Sequence, residues 1–494
     1  MKRGLSFWFL SCGILLCSPA LGQTPTSSSP LCLSQLEPAI AAIMNRPHLS
    51  RSRWGIFIQT LPNNGAASTL YSHESTRFFI PASTIKLLTS AAALTRLGGE
   101  FRIRTSVYRE PSPRNQLWLR LVGRGDPTMT DRQLDQFARE VGNKLRNQGI
   151  DQIDRFVIDD QYFQGDSVHP TWEWEDTQLD TGAPVTSLIL NQNALGITLT
   201  PTQLGQPLRL SWNDQGTAPQ WQINNQSITV SPSQPESIHL HRNNQGVLSI
   251  RGQLHGGSEP YKVGIAVVNA TKTFVTRFHQ QLVSQRLNVK QIVTATTPLS
   301  STAMELASID SAPLSTLLEE VNHYSNNLYA EVLLRIMGVQ YALQTRQINS
   351  DSASLGLAAV RQTLTQMGVD PESYEQSDGS GLSRRNLVSP EAIVQTLQAA
   401  YRTTTGDLFR STLPVAGVTG TLRNRFRHTD AAGIMVAKTG FLEGVAALAG
   451  YITPAHYPPL AFSIIINQSN QPPLTLRQAI DDMVILLTRL QLCK

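Results

Sequence analysis

The sequence predicts an α/β fold in which two outer segments form one domain and the middle of the chain is a β-rich insert. Three observations predict it. Trp54 to Thr60 (WGIFIQT) alternates as a half-buried strand, and a turn at Asn63-Asn64-Gly65 leads to a second short strand at Ser68 to Tyr71, so the two read as a hairpin. From about residue 104 to 290, short alternating runs recur, punctuated by Gly, Pro, Asn and Gln. After 290, helical patterns return and lead to two apolar strands. The length agrees: 494 residues, 40% hydrophobic and 16% charged, make a globular chain of two or three domains at roughly 150 residues each.

In chain order, Met1 to Gly22 reads as a signal peptide. Lys2 and Arg3 form the charged end, Leu5 to Cys17 the apolar stretch, and Ala20-Leu21-Gly22 the small-residue cleavage site before Gln23. The expected destination is the periplasm. Thr24 to Pro30 is a Thr/Ser/Pro-rich leader. A helix follows from Leu33 to Met44, then the hairpin, and then a helix opened by Pro81 and closed at Gly98-Gly99. In the insert, strands are predicted at Gln116 to Val122, Ala194 to Leu199, Gln222 to Val230 and Val247 to Leu254, with one helix at Asp131 to Gln148. Further helices are predicted at Leu314 to Met337, Ser354 to Met367 and Ser389 to Tyr401. Strands at Gly444 to Ile452 and Leu460 to Ile466 and a helix at Leu474 to Leu492 complete the chain. The domain reading is therefore 31–103 with 291–494, and an insert at 104–290 made of two subdomains.

Charge and cysteines narrow the function classes. Only 8 of the 41 basic residues are lysine, and without Lys2 and Arg3 the remaining 39 face 36 acidic residues, a mature charge of +3. Nothing in that points to nucleic acid. There is no HExxH, CxxC or Walker sequence to anchor metal or nucleotide chemistry, and no cofactor is expected. Cys12 and Cys17 leave with the signal. Cys32 and Cys493 stay at opposite ends of an exported chain, and a disulfide between them is expected because domain termini are often close in an oxidising compartment.

Three short motifs carry chemistry. Ser83-Thr84-Ile85-Lys86 begins a helix, and residues three apart share a helix face, so the Lys86 amine reaches the Ser83 hydroxyl. A serine hydroxyl needs a base to become a nucleophile, and a buried lysine with a lowered pKa supplies one. Ser325-Asn326-Asn327 sets a hydroxyl and an amide two residues apart, fit to relay a proton and hold a carbonyl; a polar helix N-cap is the competing explanation. Lys438-Thr439-Gly440 offers a cation and a hydroxyl to a carboxylate just before an apolar strand, with an ordinary turn as the alternative.

In this order the three motifs match the active-site trio of penicillin-binding proteins and serine β-lactamases. Phe79-Ile80-Pro81-Ala82 before the first motif, SNNLYAE (Ser325 to Glu331), DGSGLSR (Asp378 to Arg384), LPVAGVTGTLR (Leu413 to Arg423) and KTGFLEGVAALAGY (Lys438 to Tyr451) extend the match. In the middle, GRGDP (Gly123 to Pro127), WEWED (Trp172 to Asp176) and GAPVTSLILNQN (Gly182 to Asn193) join it. The chain resembles the class C low-molecular-mass penicillin-binding proteins, the D-alanyl-D-alanine carboxypeptidase/endopeptidase family. The long stretch between the first two motifs suits that family better than a compact β-lactamase.

The resemblance implies a penicillin-binding-protein/serine β-lactamase-like transpeptidase domain, an antiparallel sheet flanked by helices. It implies a serine carboxypeptidase or endopeptidase acting on peptidoglycan stem peptides, inhibited by β-lactams. Ser83 would form the acyl-enzyme, Lys86 act as general base, and Ser325 with Lys438 pass the proton to the leaving amine. Asn327 would hold the substrate amide, Thr439 beside Gly440 the terminal carboxylate, and the Ser83 and Phe441 N–H groups the oxyanion. Asp176 and Arg384 would line a pocket for the charged end of a diaminopimelate side chain, an exposed acidic run being the other reading of Asp176. Phe441 departs from the family, which carries Thr or Ser there, and removes a hydroxyl worth about 1.5–3 kcal/mol. The alternatives carried forward are a β-lactamase and a catalytically weak wall-peptide-binding protein.

Overall fold

The computed structural model describes residues 29–62, 67–213, 221–243, 246–347 and 350–493. The leader at 1–22 and the Asn63-Asn64-Gly65 turn lie outside the described residues. The central sheet has five strands: β1 (Arg53–Thr60), β2 (Thr69–His73), β3 (Met435–Leu442), β4 (Val445–Ile452) and β5 (Leu460–Asn467). Its spatial order is β3-β4-β5-β1-β2, antiparallel throughout.

Both faces of this sheet are covered, which explains why β4 and β5 read as unbroken apolar runs instead of alternating ones. Trp54, Ile56, Leu448, Phe462 and Ile464 point to one side, where α1 (Leu33–Met44) and a C-terminal helix bury Leu36, Ile40 and Met483. Phe57, Ala447, Ala449 and Ile465 point to the other. There they meet α2 (Lys86–Leu97), α3 (Leu314–His323), α4 (Asn327–Thr345), α5 (Ser352–Gln366) and α6 (Pro390–Tyr401). The C-terminal helix is α7 (Pro473–Thr488).

Residues of the insert build a second five-stranded sheet, ordered 292–294, 155–159, 118–122, 104–110 and 304–310. Met304–Asp310 pairs antiparallel with Arg104–Glu110, so this sheet takes in residues past 290. Helices Asp131–Arg146 and Ala270–Ser284 cover one face of it through Phe137, Phe274 and Phe278. Two three-stranded sheets share a smaller core around Ile197, Leu199, Leu248 and Ile250. The segment between these parts turns back: Phe163, Trp172, Val185 and Ile189 belong to the same core as α2 and α4.

Among the elements that differ from the sequence reading are a divided helix, a shortened one and an unread one. The helix expected at 314–337 is two helices, α3 and α4. Ser325 sits at φ 61°, in the left-handed region, and the Asn326 side chain caps α4 by accepting the Tyr329 N–H at 3.2 Å. The final helix stops at Thr488, and Leu490–Gln491 then pairs in parallel with Leu31–Cys32. That pairing brings Cys32 and Cys493 into the expected disulfide, with Cα atoms 5.7 Å apart. Helix Ala270–Ser284 lay unread in the insert, although Asn269 caps it and Ala270, Phe274, Phe278 and Leu282 recur at helical spacing.

Candidate active site

Ser83 lies in a tight turn, Ala82–Ile85, that opens directly into α2. The entry is strained: Ala82 adopts φ 47°, a conformation rare for a residue with a Cβ. Two close contacts hold it there. A Cβ on Gly381 would run into the Ala82 carbonyl, and one on Gly440 would lie 2.7 Å from the Pro81 carbonyl and 3.2 Å from the Thr84 nitrogen. Strand β3 and the loop at 378–386 therefore both press on the Ser83 turn.

Lys86 is fully buried, and its Nζ lies 2.8 Å from Ser83 Oγ. It also donates to Asn327 Oδ1 at 2.7 Å and to the Ser380 carbonyl. Asn327 Nδ2 donates to the Thr181 carbonyl at 2.9 Å, which fixes the amide with its oxygen toward Lys86. Burial lowers the Lys86 amine to about 7, against the opposing pull of Asp378 and Glu331. An amine titrating there is neutral often enough at pH 7 to serve as a base.

The second serine–lysine pair mirrors the first. Lys438, also fully buried, lies on β3 and donates to Ser325 Oγ at 2.8 Å and to the Thr439 carbonyl at 2.9 Å. Burial, and then the neighbouring Lys86, push its amine well below its ordinary value. Lys438-Thr439-Gly440 thus lies on an edge strand, just ahead of the apolar strand β4, as the sequence reading expects. Backbone direction follows from the register. The Ala437 N–H donates to Pro414 and the Met435 carbonyl accepts from Ala416, so the odd-numbered residues of β3 turn their polar groups off the sheet edge. By strand alternation the Phe441 N–H points the same way. Thr439 Oγ1 donates to Thr421 Oγ1 at 2.9 Å. The partly exposed Phe441 ring lies with the Arg477 guanidinium 5.1 Å from its centroid.

Arg384 does not pair with Asp176. Its Nε donates to Glu173 Oε1 at 3.0 Å and its Nη1 to the Glu443 carbonyl at 3.1 Å. Asp176 is half-buried in the same acidic run; burial and Glu173 raise its carboxyl to about 6, with Arg384 opposing. The Arg-Gly-Asp tripeptide is structural. Asp126 is buried and accepts from the Thr128 N–H and hydroxyl. Buried His323 meets the Thr412 carbonyl with Nδ1 and Thr419 Oγ1 with Nε2, each at 2.8 Å, so it carries its proton on Nδ1 and packs the strand-side loop.

The family model for D-Ala-D-Ala carboxypeptidase 3 (S13) matches residues 36–490. The chain belongs to this family. Among curated relatives, it is 31% identical to a D-alanyl-D-alanine carboxypeptidase of Actinomadura sp. (strain R39), over 94% of this chain and 87% of that protein. It is 29% identical to penicillin-sensitive carboxypeptidase A of Dictyostelium discoideum, over 89% and 87%. Among solved structures, penicillin-binding protein 4 (dacB) of Haemophilus influenzae superposes with a TM-score of 0.75 at 24% identity, covering 92% of this chain and 98% of that one. The same protein complexed with a β-lactam gives a TM-score of 0.71 at 23% identity, covering 92% and 99%. The penicillin-binding-protein fold is thereby shared.

Within this S13 carboxypeptidase the sequence reading missed several groups at the site. Glu331, Asp378 and Thr421 all stood inside quoted motifs but had no chemistry attached. The carbonyls of Thr181 and Ser380 carry no residue-type signal at all, because any residue can supply a carbonyl. Thr181 comes from the insert, 146 positions from Asn327, and only the fold joins them.

Proposed function

We propose that this D-Ala-D-Ala carboxypeptidase works through an acyl-enzyme on Ser83, and that its substrates are peptidoglycan stem peptides. The observation that carries the reading is the pair of buried lysines, each 2.8 Å from a serine hydroxyl. Lys86 takes the Ser83 proton as Oγ attacks the carbonyl of the penultimate D-Ala. The oxyanion rests on the Ser83 and Phe441 N–H groups. Ser325, backed by Lys438, delivers a proton to the departing D-Ala amine, and water then hydrolyses the ester. Asn327 holds the substrate amide, and Thr439, next to Gly440, binds the terminal carboxylate. Asp176 and Arg384 flank a subsite for the charged end of the stem peptide. The same cycle cleaves a peptide cross-link when the leaving amine belongs to a second stem, which makes endopeptidase activity part of the proposal.

β-Lactams acylate the same serine. The reading includes export to the periplasm behind the 1–22 leader, for which the Cys32–Cys493 disulfide is supporting chemistry. It also divides the chain into a discontinuous peptidase unit and an insert that begins near residue 104.

The test is mass spectrometry of the mature protein with penicillin, followed by peptide mapping, alongside D-Ala release from a pentapeptide. A single adduct on the Ser83 peptide and D-Ala release, both absent in Ser83→Ala, are expected. A folded wild-type protein that gains no adduct and releases no D-Ala would sink the mechanism.

A further inference from the structure

Lys86 has three hydrogen-bond partners, and only two of them, Ser83 and Asn327, belong to the serine–lysine–asparagine machinery. The third is the Ser380 carbonyl. A neutral amine has two N–H bonds and one lone pair. With Asn327 Oδ1 and the Ser380 carbonyl each accepting one N–H, the lone pair is left facing Ser83 Oγ. The Ser380 carbonyl is therefore half of what aims the base.

That carbonyl is itself held from the side. The buried Glu331 carboxylate, one turn into α4, accepts the Gly379 N–H at 2.8 Å. The Gly379 carbonyl accepts the Thr89 hydroxyl of α2 at 2.8 Å. Both backbone groups of Gly379, the residue before Ser380, are thus fixed to the two helices that carry Lys86 and Asn327. The loop sits directly on α4: a Cβ on Gly379 would lie 3.0 Å from the Ala330 carbonyl. Asp378 braces the far side by accepting from the Gly381 and Ser383 amides and from Asn386.

Building on the acyl-enzyme reading, we propose that Glu331 is a positioning residue for the general base: it grips the Gly379 amide, helps aim the Ser380 carbonyl at Lys86, and adds its charge to that of Asp378 beside that amine. The charged groups facing Glu331 are Lys86 from α2, Asp378 from the loop and Arg335 from its own helix, with Lys438 acting on Lys86 from β3. Burial, and then Asp378, raises the Glu331 carboxyl to about 7, so it and Lys86 exchange charge over one pH range.

The experiment compares wild type, Glu331→Gln and Glu331→Leu, measuring the second-order rate of Ser83 acylation by penicillin from pH 5 to 10, with thermal melts as the folding control. Gln keeps the acceptor and drops the charge. A lost negative charge disfavours the Lys86 ammonium, so the acidic limb of the Gln profile should move to lower pH, with its plateau within about threefold of wild type. Leu keeps neither, and its plateau should fall by about 10- to 100-fold at every pH, the scale of a misplaced catalytic group. An unshifted Gln limb, or a folded Leu variant with the wild-type plateau, would overturn the proposal. The Gln variant carries the pH readout by itself if Leu fails to fold. An unreactive wild type is a different result, because it removes the acyl-enzyme reading and this inference with it.

Discussion

At the scale of single residues, Phe441 stands where the resemblance leads one to expect a hydroxyl. Strand alternation puts its side chain on the same side of β3 as Thr439, whose hydroxyl meets Thr421, while its N–H points off the sheet edge. A hydroxyl at 441 would stand beside Thr439, within reach of a bound carboxylate. Phe441→Thr is therefore expected to raise kcat/KM for D-Ala-D-Ala peptides by about tenfold, from a charged hydrogen bond of about 1.5–3 kcal/mol partly offset by its desolvation. Release of D-Ala under kcat/KM conditions checks it. An unchanged or lower value would mean that the carboxylate is held without position 441. The pH dependence also belongs to this scale. Lys86 titrates at about 7, below its ordinary value, and only the neutral amine is a base. Acylation should rise about tenfold per pH unit below that point and level off above it. A rate flat from pH 5 to 8 would exclude Lys86 as the base.

At the scale of elements, the site exists because one strand and one loop approach the Ser83 turn more closely than a side chain permits. Gly440 marks the strand side. With Ala there, the Cβ would press on the Pro81 carbonyl and the Thr84 nitrogen, and β3 would have to retreat from Ser83. The Phe441 N–H and Lys438 would retreat with it. Gly440→Ala is expected to cut penicillin acylation by about 100-fold while the protein stays folded, since small misplacements are costly in a preorganised site. A folded variant that acylates at the wild-type rate would contradict the close-approach argument. These elements also show what was legible beforehand. The first strand, α1, α2, α6 and the two apolar strands were readable because local pattern and tertiary role agree. The break between α3 and α4 was not. Apolar periodicity runs on through Leu328 and Leu333, and only the left-handed Ser325 and the Asn326 cap stop the helix. The meeting of Ser83, Lys86 and Asn327, and of Ser325 with Lys438, was legible from their motifs. Glu331 and Asp378 were not, because a carboxylate that grips backbone amides across elements leaves no spacing rule.

At the scale of the whole molecule, the central sheet separates the chemistry from the chain ends. The serine–lysine pairs lie on the α2–α4 side, whereas α1, α7 and the parallel pairing of Leu31–Cys32 with Leu490–Gln491 lie on the other. The Cys32–Cys493 bridge closes a loop of 461 positions. In the chain-entropy picture such a loop is worth on the order of 6 kcal/mol, and measured losses of native bridges cluster at about 2–5 kcal/mol. The bridge touches only the outer layer, so its loss should act on stability and leave the site alone. Cys32→Ser with Cys493→Ser is expected to lower the unfolding midpoint by several degrees, while the rate of penicillin acylation at 25 °C changes less than about twofold. Differential scanning calorimetry and acylation kinetics on the same preparations decide it. If acylation falls in step with the midpoint, the sheet does not insulate the site, and the α1–α7 layer must be counted among the elements that hold β3 against the Ser83 turn.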